Sequence, residues 1–418
     1  MSRLSRRAAR ARAQLKRFPA TLWLLAGANL VLFTARGMTI PFLVIYFGQI
    51  LGLGEGNVGA GIAASSIAGV IFTLAAAGTI DRFGPRNMVV ITILGTAATT
   101  ALFPVATDLT RFFLLMVVQG LFTQLYWPSS DTLATTLVPV EQAGEMFALL
   151  RVASALGTGA GGLAGGLLVA GGTIPAFQLL YWVAGGGIGL AGILVLALIR
   201  SPGRQRLAAH QRAGGSWREV LSDRRFMFSQ VVMFILLAGL TQFQVTAPPY
   251  LHAQAGLGEA AVGSLFTINT IIVVAAQLLV ANRIAGWGRG ASLAAAALFW
   301  CVAYAMIGAS PWVAGFPFAA AVVYTLGEMI FMPTSGVITV ELAPERLRGR
   351  YLAFSSVIWG SAWGLASWAA GVALGSAHPG LLWPALIVLL LFGAVGGMLF
   401  DRAAPRTVAP VAVASRDD

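Results

Sequence analysis

One cysteine, one lysine and three histidines leave this 418-residue chain poor in the side chains that do covalent chemistry. Cys301 stands alone, which excludes an intramolecular disulfide and a thiolate metal cluster. The histidines form no HExxH pattern, and neither a GxxxxGK[ST] phosphate loop nor a GxSxG elbow occurs. The chain cannot use ATP without a partner ATPase, lacks the catalytic groups of a lipid-modifying enzyme, and calls for no metal or cofactor. Charge is scarce too: Asp, Glu, Lys and Arg make up 10% of residues, against about 25% in soluble domains. Apolar residues make up 58%, with a mean hydropathy of +0.82. This is the composition of a polytopic membrane protein. The net charge of +12 does not point to nucleic acid, because the basic residues fall in short gaps between apolar runs.

A membrane-spanning helix needs about 20 apolar residues. Stretches of that size occur near 20–47, 57–80, 87–107, 112–136, 145–171, 175–199, 227–251, 260–284, 290–309, 313–340, 350–375 and 381–400, which predicts twelve spans. Arg3, Arg6, Arg7, Arg10, Arg12, Lys16 and Arg17 precede the first run, which is too long for a cleaved signal and reads as a first span behind a basic anchor. Arginines crowd one set of loops, at Arg82 and Arg86, Arg200 to Arg225, Arg283 and Arg289, and Arg346 to Arg350. By the positive-inside rule those loops and both termini are cytoplasmic.

The longest polar gap divides the chain. The expected organisation is a basic tail over 1–19, a six-helix bundle over 20–199, a cytoplasmic loop over 200–226, a second bundle over 227–401 and a tail over 402–418. The halves also repeat each other. Leu51 to Gly59 matches Ala255 to Gly263 at six of nine positions, and Pro128 to Leu149 tracks Pro333 to Phe354 at nearly the same offset. Internal duplication of this kind is typical of secondary transporters, whose sites lie near the midplane between the repeats.

Between the second and third stretches, Asp81, Arg82 and Arg86 form a charge cluster around the tight turn Gly84-Pro85. Here the chain resembles the major facilitator superfamily over essentially its full length. That family carries G-x-x-x-D-R-x-G-R-[RK] in this loop. Asp81, Arg82, Gly84 and Arg86 match it, while Ala77 and Pro85 depart from it. The resemblance implies an all-α fold of twelve transmembrane helices in two pseudo-symmetric six-helix bundles. It also implies that Asp81, Arg82, Gly84 and Arg86 gate the outward-open state, with Asp131 of the fourth span joining that cluster or, alternatively, coupling to substrate. The fifth stretch sets Gly157, Gly161, Gly165 and Gly166 at the small-residue spacing of close helix packing. It is similar to the signature of the drug:proton antiporter branch, with Gly162 in place of a proline. Met116 stands where antiporters often carry an arginine.

The resemblance implies that spans one, four, seven and ten line a central cavity. Their polar residues are Asn29 and Arg36; Gln119, Thr123 and Tyr126; Gln242 and Gln244; and Tyr324, Glu328 and Met332. These are the candidate substrate-binding residues, and helical spacing sets most of them on shared faces. Arg36 and Glu328 stand out, since a charge at the bilayer centre costs roughly 2.5–3.5 kcal/mol. Glu328, with Arg36, is the expected proton-coupling group. The alternatives are a permanent Arg36–Glu328 pair that fixes packing, and an anionic substrate held by Arg36. The expected protein is a monomeric, multi-pass inner-membrane transporter. It would export small apolar or amphipathic compounds against protons by alternating access. Uptake or facilitated transport of a small anionic or polar metabolite on Arg36 is the rival reading.

Overall fold

A computed structural model describes residues 18–75, 83–138, 143–199, 216–284, 286–344 and 347–402, and among them every regular element is helical. Hydrocarbon offers backbone groups no partner, so each segment must satisfy its own hydrogen bonds. The first half holds α1 (Ala20–Thr39), α2 (Glu55–Ala75), α3 (Pro85–Leu102), α4 (Leu109–Leu137), α5 (Ala143–Leu168) and α6 (Ile174–Leu198). A short amphipathic α7 (Trp217–Ser222) with a capping box at Ser216 leads into the second half. There follow α8 (Arg224–Val245), α9 (Ala247–Ala255), α10 (Glu259–Ile284), α11 (Arg289–Gly308), α12 (Phe316–Leu342), α13 (Arg348–Leu374) and α14 (Leu382–Arg402).

Among the described residues, eleven elements are long and apolar enough to cross a membrane. The twelfth predicted stretch is α5, also a 26-residue helix, but its glycines and Arg151 dilute its hydropathy. The first span continues past α1 through a 3-10 turn at Ile40–Phe42 and a π turn at Ile45–Ile50, where Pro41 removes a ladder donor. The seventh span breaks at Thr246, just ahead of Pro248 and Pro249, which take the first turn of α9 where a missing N–H costs nothing.

The duplication is visible in the packing. Gly52 (φ 68°) and Gly256 (φ 66°) hold equivalent left-handed turns, and Pro128 and Pro333 lie inside the equivalent helices α4 and α12. The halves meet through two helix pairs, α2 on α13 and α5 on α10. A Cβ on Gly59 would lie 2.6 Å from the Ser367 carbonyl oxygen, and one on Gly263 would strike the Gly162 carbonyl. Likewise a Cβ on Gly371 would lie 2.5 Å from the Glu55 carbonyl, and one on Gly166 2.5 Å from that of Glu259. These are the same two contacts made twice about a pseudo-twofold axis. Gln49 Nε2 adds a bridge to the Pro249 carbonyl at 3.1 Å. All these contacts lie toward one end of the molecule, where α2 and α10 begin.

Buried aromatics back the seam on both sides. Tyr46, Phe47, Phe103, Phe112, Phe177 and Tyr181 interlock in the first half. Phe243, Trp300, Tyr304, Tyr324 and Trp383 do so in the second.

Candidate functional site

Away from the seam lies a cavity of about 260 Å³, lined by Arg151 of the first half and by Met332, Ser335, Gly336, Thr339, Ser355, Ser356 and Trp359 of the second. Its walls come from the start of α5, the end of α12 and the start of α13, so the seam lies toward one end of the molecule and the cavity toward the other. Further inter-half contacts are Thr270 Oγ1 donating to the Ala155 carbonyl at 3.0 Å and Gly360 against Gln124 and Val70. Arg151 lies one helical turn beyond Ala155, where α5 leaves α10.

Glu328 sits on α12, four residues before Met332. Its Oε2 accepts a hydrogen bond of 2.7 Å from Asn269 Nδ2 of α10, and the same amide nitrogen donates to Thr325 Oγ1 at 3.0 Å. The cation acting on it electrostatically is Arg151, from the opposite half. Arg36 is not its partner. Among the described residues the ion pairs are Arg111–Asp108 and Arg289–Glu341, both exposed, so the packing alternative of a fixed Arg36–Glu328 bridge has no counterpart in this conformation. The Arg36 guanidinium instead lies 5.7 Å from the centre of the Phe33 ring.

The other predicted residues divide by environment. Tyr126 donates to Asn29 Oδ1 at 2.7 Å, both groups being buried, and so ties α4 to α1. Gln119 Oε1 and Thr123 Oγ1 are buried without a partner. Gln242 donates to the carbonyls of Ala238 and Ala366, and accepts from Thr246, fastening α8 to α13. Gln244 lies beside Tyr324. The Tyr324 hydroxyl donates to the Leu240 carbonyl at 2.9 Å, and its ring stacks on Phe243 at 4.0 Å, inside the second bundle. Met332 lines the cavity.

Of the gating set, Asp81 and Arg82 lie outside the described residues. Gly84 takes φ 81° at the entry to α3. Arg86 donates to the carbonyls of Ile199 and Leu196, capping the end of α6 in its own half. Asp131 is exposed on α4. Gly157 and Gly165 abut the carbonyls of Leu30 and Met38 on α1, and Gly161 abuts Thr34. Gly166 faces α10 instead, so α5 carries one glycine face for each half.

The sequence pattern marks neither Arg151 nor Asn269 as a site residue. Arg151 lines the cavity, and Asn269 holds Glu328. A mid-span amide in the eighth stretch is the signal that points to Asn269, while Arg151 becomes legible only from its equivalence to Ser356, which also lines the cavity. One structural consequence is testable at once. Tyr126→Phe leaves the buried Asn29 Oδ1 unpaired, at an expected cost of about 1–3 kcal/mol. Thermal unfolding in detergent should show a lower midpoint, partly restored when Asn29→Leu is added.

Two helical halves joined by a glycine seam, with a mid-span carboxylate on one of the helices that line the cavity, define a membrane transporter rather than an enzyme. Residues 25–367 match the Major Facilitator Superfamily, and the chain belongs to it. A Na(+), Li(+), K(+)/H(+) antiporter of Planococcus maritimus is 24% identical over 360 residues, covering 78% of this chain and 82% of that one. The multidrug resistance protein MdtH of Klebsiella pneumoniae (strain 342) is 27% identical over 346 residues, covering 77% of each. The crystal structure of a mutant of the nucleoside transporter NupG superposes with a TM-score of 0.74 at 14% identity, over 91% of this chain and 99% of that one. That likeness concerns the fold.

Proposed function

We propose that this protein exports small amphipathic organic compounds in exchange for protons, by alternating access. The carrying observation is the placement of Glu328: a mid-span carboxylate on the helix whose Met332 lines the cavity, held by Asn269 from its own half and near enough to Arg151 of the other half to feel its charge. An approaching guanidinium favours the ionised form of a carboxyl group, and a receding one favours the protonated form. Arg151 moves with one half and Glu328 with the other, so rocking of the halves changes how readily Glu328 holds a proton. That coupling is what exchange requires. The printed names of the Planococcus antiporter and the Klebsiella multidrug protein support the same reading.

The cavity end is the cytoplasmic one, because the arginine-rich loops lie there, and the conformation described is inward-facing. The protein works as a monomer in the inner membrane, with both termini in the cytoplasm. In the opposite state Asp131 joins the loop cluster of Asp81 and Arg82 as a latch, and Arg86 holds the base of that loop against α6.

Flux into proteoliposomes under pH gradients of either sign tests the proposal, using a panel of lipophilic cations, neutral drugs and organic acids. Substrate should move against the proton gradient and reverse when the gradient is reversed. Indifference to both gradients would leave a facilitator and overturn proton exchange. Arg151→Gln should weaken the dependence on the gradient while preserving exchange at equal pH.

A further inference from the structure

Arg36 is a mid-span cation that pairs with no carboxylate among the described residues. Its guanidinium makes no hydrogen bond or ion pair among the described residues, and it lies over the ring of Phe33 and near Tyr126. Glu328 is already engaged by Asn269 and acted on by Arg151. Asp131, one turn beyond Trp127 on α4, makes no ion pair with Arg36 either.

The surroundings of Arg36 are aromatic. Phe33 lies 5.8 Å from the centre of Trp127, and Trp127 lies 5.6 Å from Tyr126. Trp127 is 46% exposed. The pseudo-twofold axis indicates which way it faces, since Pro128 and Pro333 correspond. Trp127 is then the counterpart of Met332, which lines the cavity, and Thr123 is the counterpart of Glu328. Trp127 and Thr123, four residues apart, therefore share the cavity face of α4. Thr123 is unusual in its bonding. Thr132, Thr135 and Thr136 of the same helix return their hydroxyls to backbone carbonyls, whereas the buried Thr123 hydroxyl and the Gln119 carbonyl oxygen have no partner.

We propose that Arg36, Phe33, Trp127 and Thr123 form the subsite for the anionic head and aromatic body of the substrate, which is a small aryl carboxylate. A guanidinium binds a carboxylate through two parallel hydrogen bonds, and strongly so in a poorly hydrated site. Phe33 and Trp127 offer flat apolar surfaces to a ring joined to that carboxylate. Thr123 supplies a hydroxyl to the same head group. A lipophilic cation would meet Arg36 as a like charge, so this subsite narrows the amphipathic substrates of the proposed function to anions. The inference rests on the transport reading but not on its coupling ion.

Binding to purified protein at equal pH tests it without any gradient. Salicylate should quench tryptophan fluorescence saturably, and its neutral isostere salicylamide should bind at least about 30-fold more weakly, the order expected when a charge-assisted contact is lost. Arg36→Gln should remove this preference while leaving the weak binding of salicylamide unchanged. Trp127→Leu should remove most of the quench, and weaken binding measured by equilibrium dialysis. A matched thermal midpoint and monodisperse gel filtration for each variant guard against misfolding, and Arg36→Lys retains the charge if the glutamine variant fails to fold. Equal binding of acid and amide, or an unaltered preference in a folded Arg36 variant, overturns the subsite. Preferential binding of tetraphenylphosphonium does the same. Carboxylate binding that persists without any response of flux to pH gradients would instead overturn proton exchange and leave the subsite standing.

Discussion

Glu328→Gln should abolish concentrative transport while sparing exchange. One pH unit is worth about 1.4 kcal/mol per proton, so a one-for-one exchanger can sustain about a tenfold substrate gradient per unit. Glutamine is close in shape to the protonated carboxyl and can still engage Asn269, but it has no proton to release. In proteoliposomes with a one-unit gradient, the accumulation ratio should fall from about ten to about one. Counterflow at equal pH should proceed at a comparable rate, because the helices can still rock around a neutral side chain. Retained accumulation in the variant would remove Glu328 from the coupling path. Loss of counterflow as well would mean that Glu328 holds the cavity together.

Gly263→Leu should act on conformation rather than chemistry. A side chain at this position drives into the Gly162 carbonyl, backbone against backbone, with no flexible neighbour to give way. The α5–α10 half of the seam cannot then close as observed. The remaining half, Gly59 on Ser367 and Gly371 on Glu55, would have to hold alone. The population should shift toward the state open at the seam end, and net transport should fall at least about tenfold, as expected for a cycle that can no longer complete one closure. The chain suits the measurement, since Cys301 is its only cysteine and is buried. A cysteine introduced at Asn57, on the seam-end start of α2, should react faster with an impermeant maleimide in the Gly263→Leu background. Unchanged labelling with normal transport would show that the seam tolerates the side chain and does not gate.

The all-helical fold and its duplication were legible in the sequence because bilayer thickness fixes helix length and hydropathy reads it directly. The match of Leu51–Gly59 to Ala255–Gly263 pointed to the pseudo-symmetry that the seam contacts display, down to paired left-handed glycines. Mid-span charges were equally legible, since their cost in hydrocarbon marks them without reference to any neighbour. Helix α5 was harder to classify. Its glycines serve two partners at once, Gly157, Gly161 and Gly165 against α1 and Gly162 and Gly166 against α10, and no spacing rule says which helix lies on which side.

Partnership was likewise beyond the sequence. Arg36 and Glu328 lie at similar depth with opposite charge, and chain order alone makes them natural companions. Tertiary packing instead gave Glu328 the amide of Asn269 and the distant charge of Arg151, and left Arg36 with an aromatic ring. Tyr324 lies at helical spacing with Met332 of the cavity, and Gln242 is a mid-span amide, yet their own bundle takes up both polar groups. Composition and periodicity are properties of single segments, so the sequence determined that helices span a membrane and that charge lies within it. Which faces meet depends on rotations of whole helices about their axes, and only the packed structure decided which charge is paired.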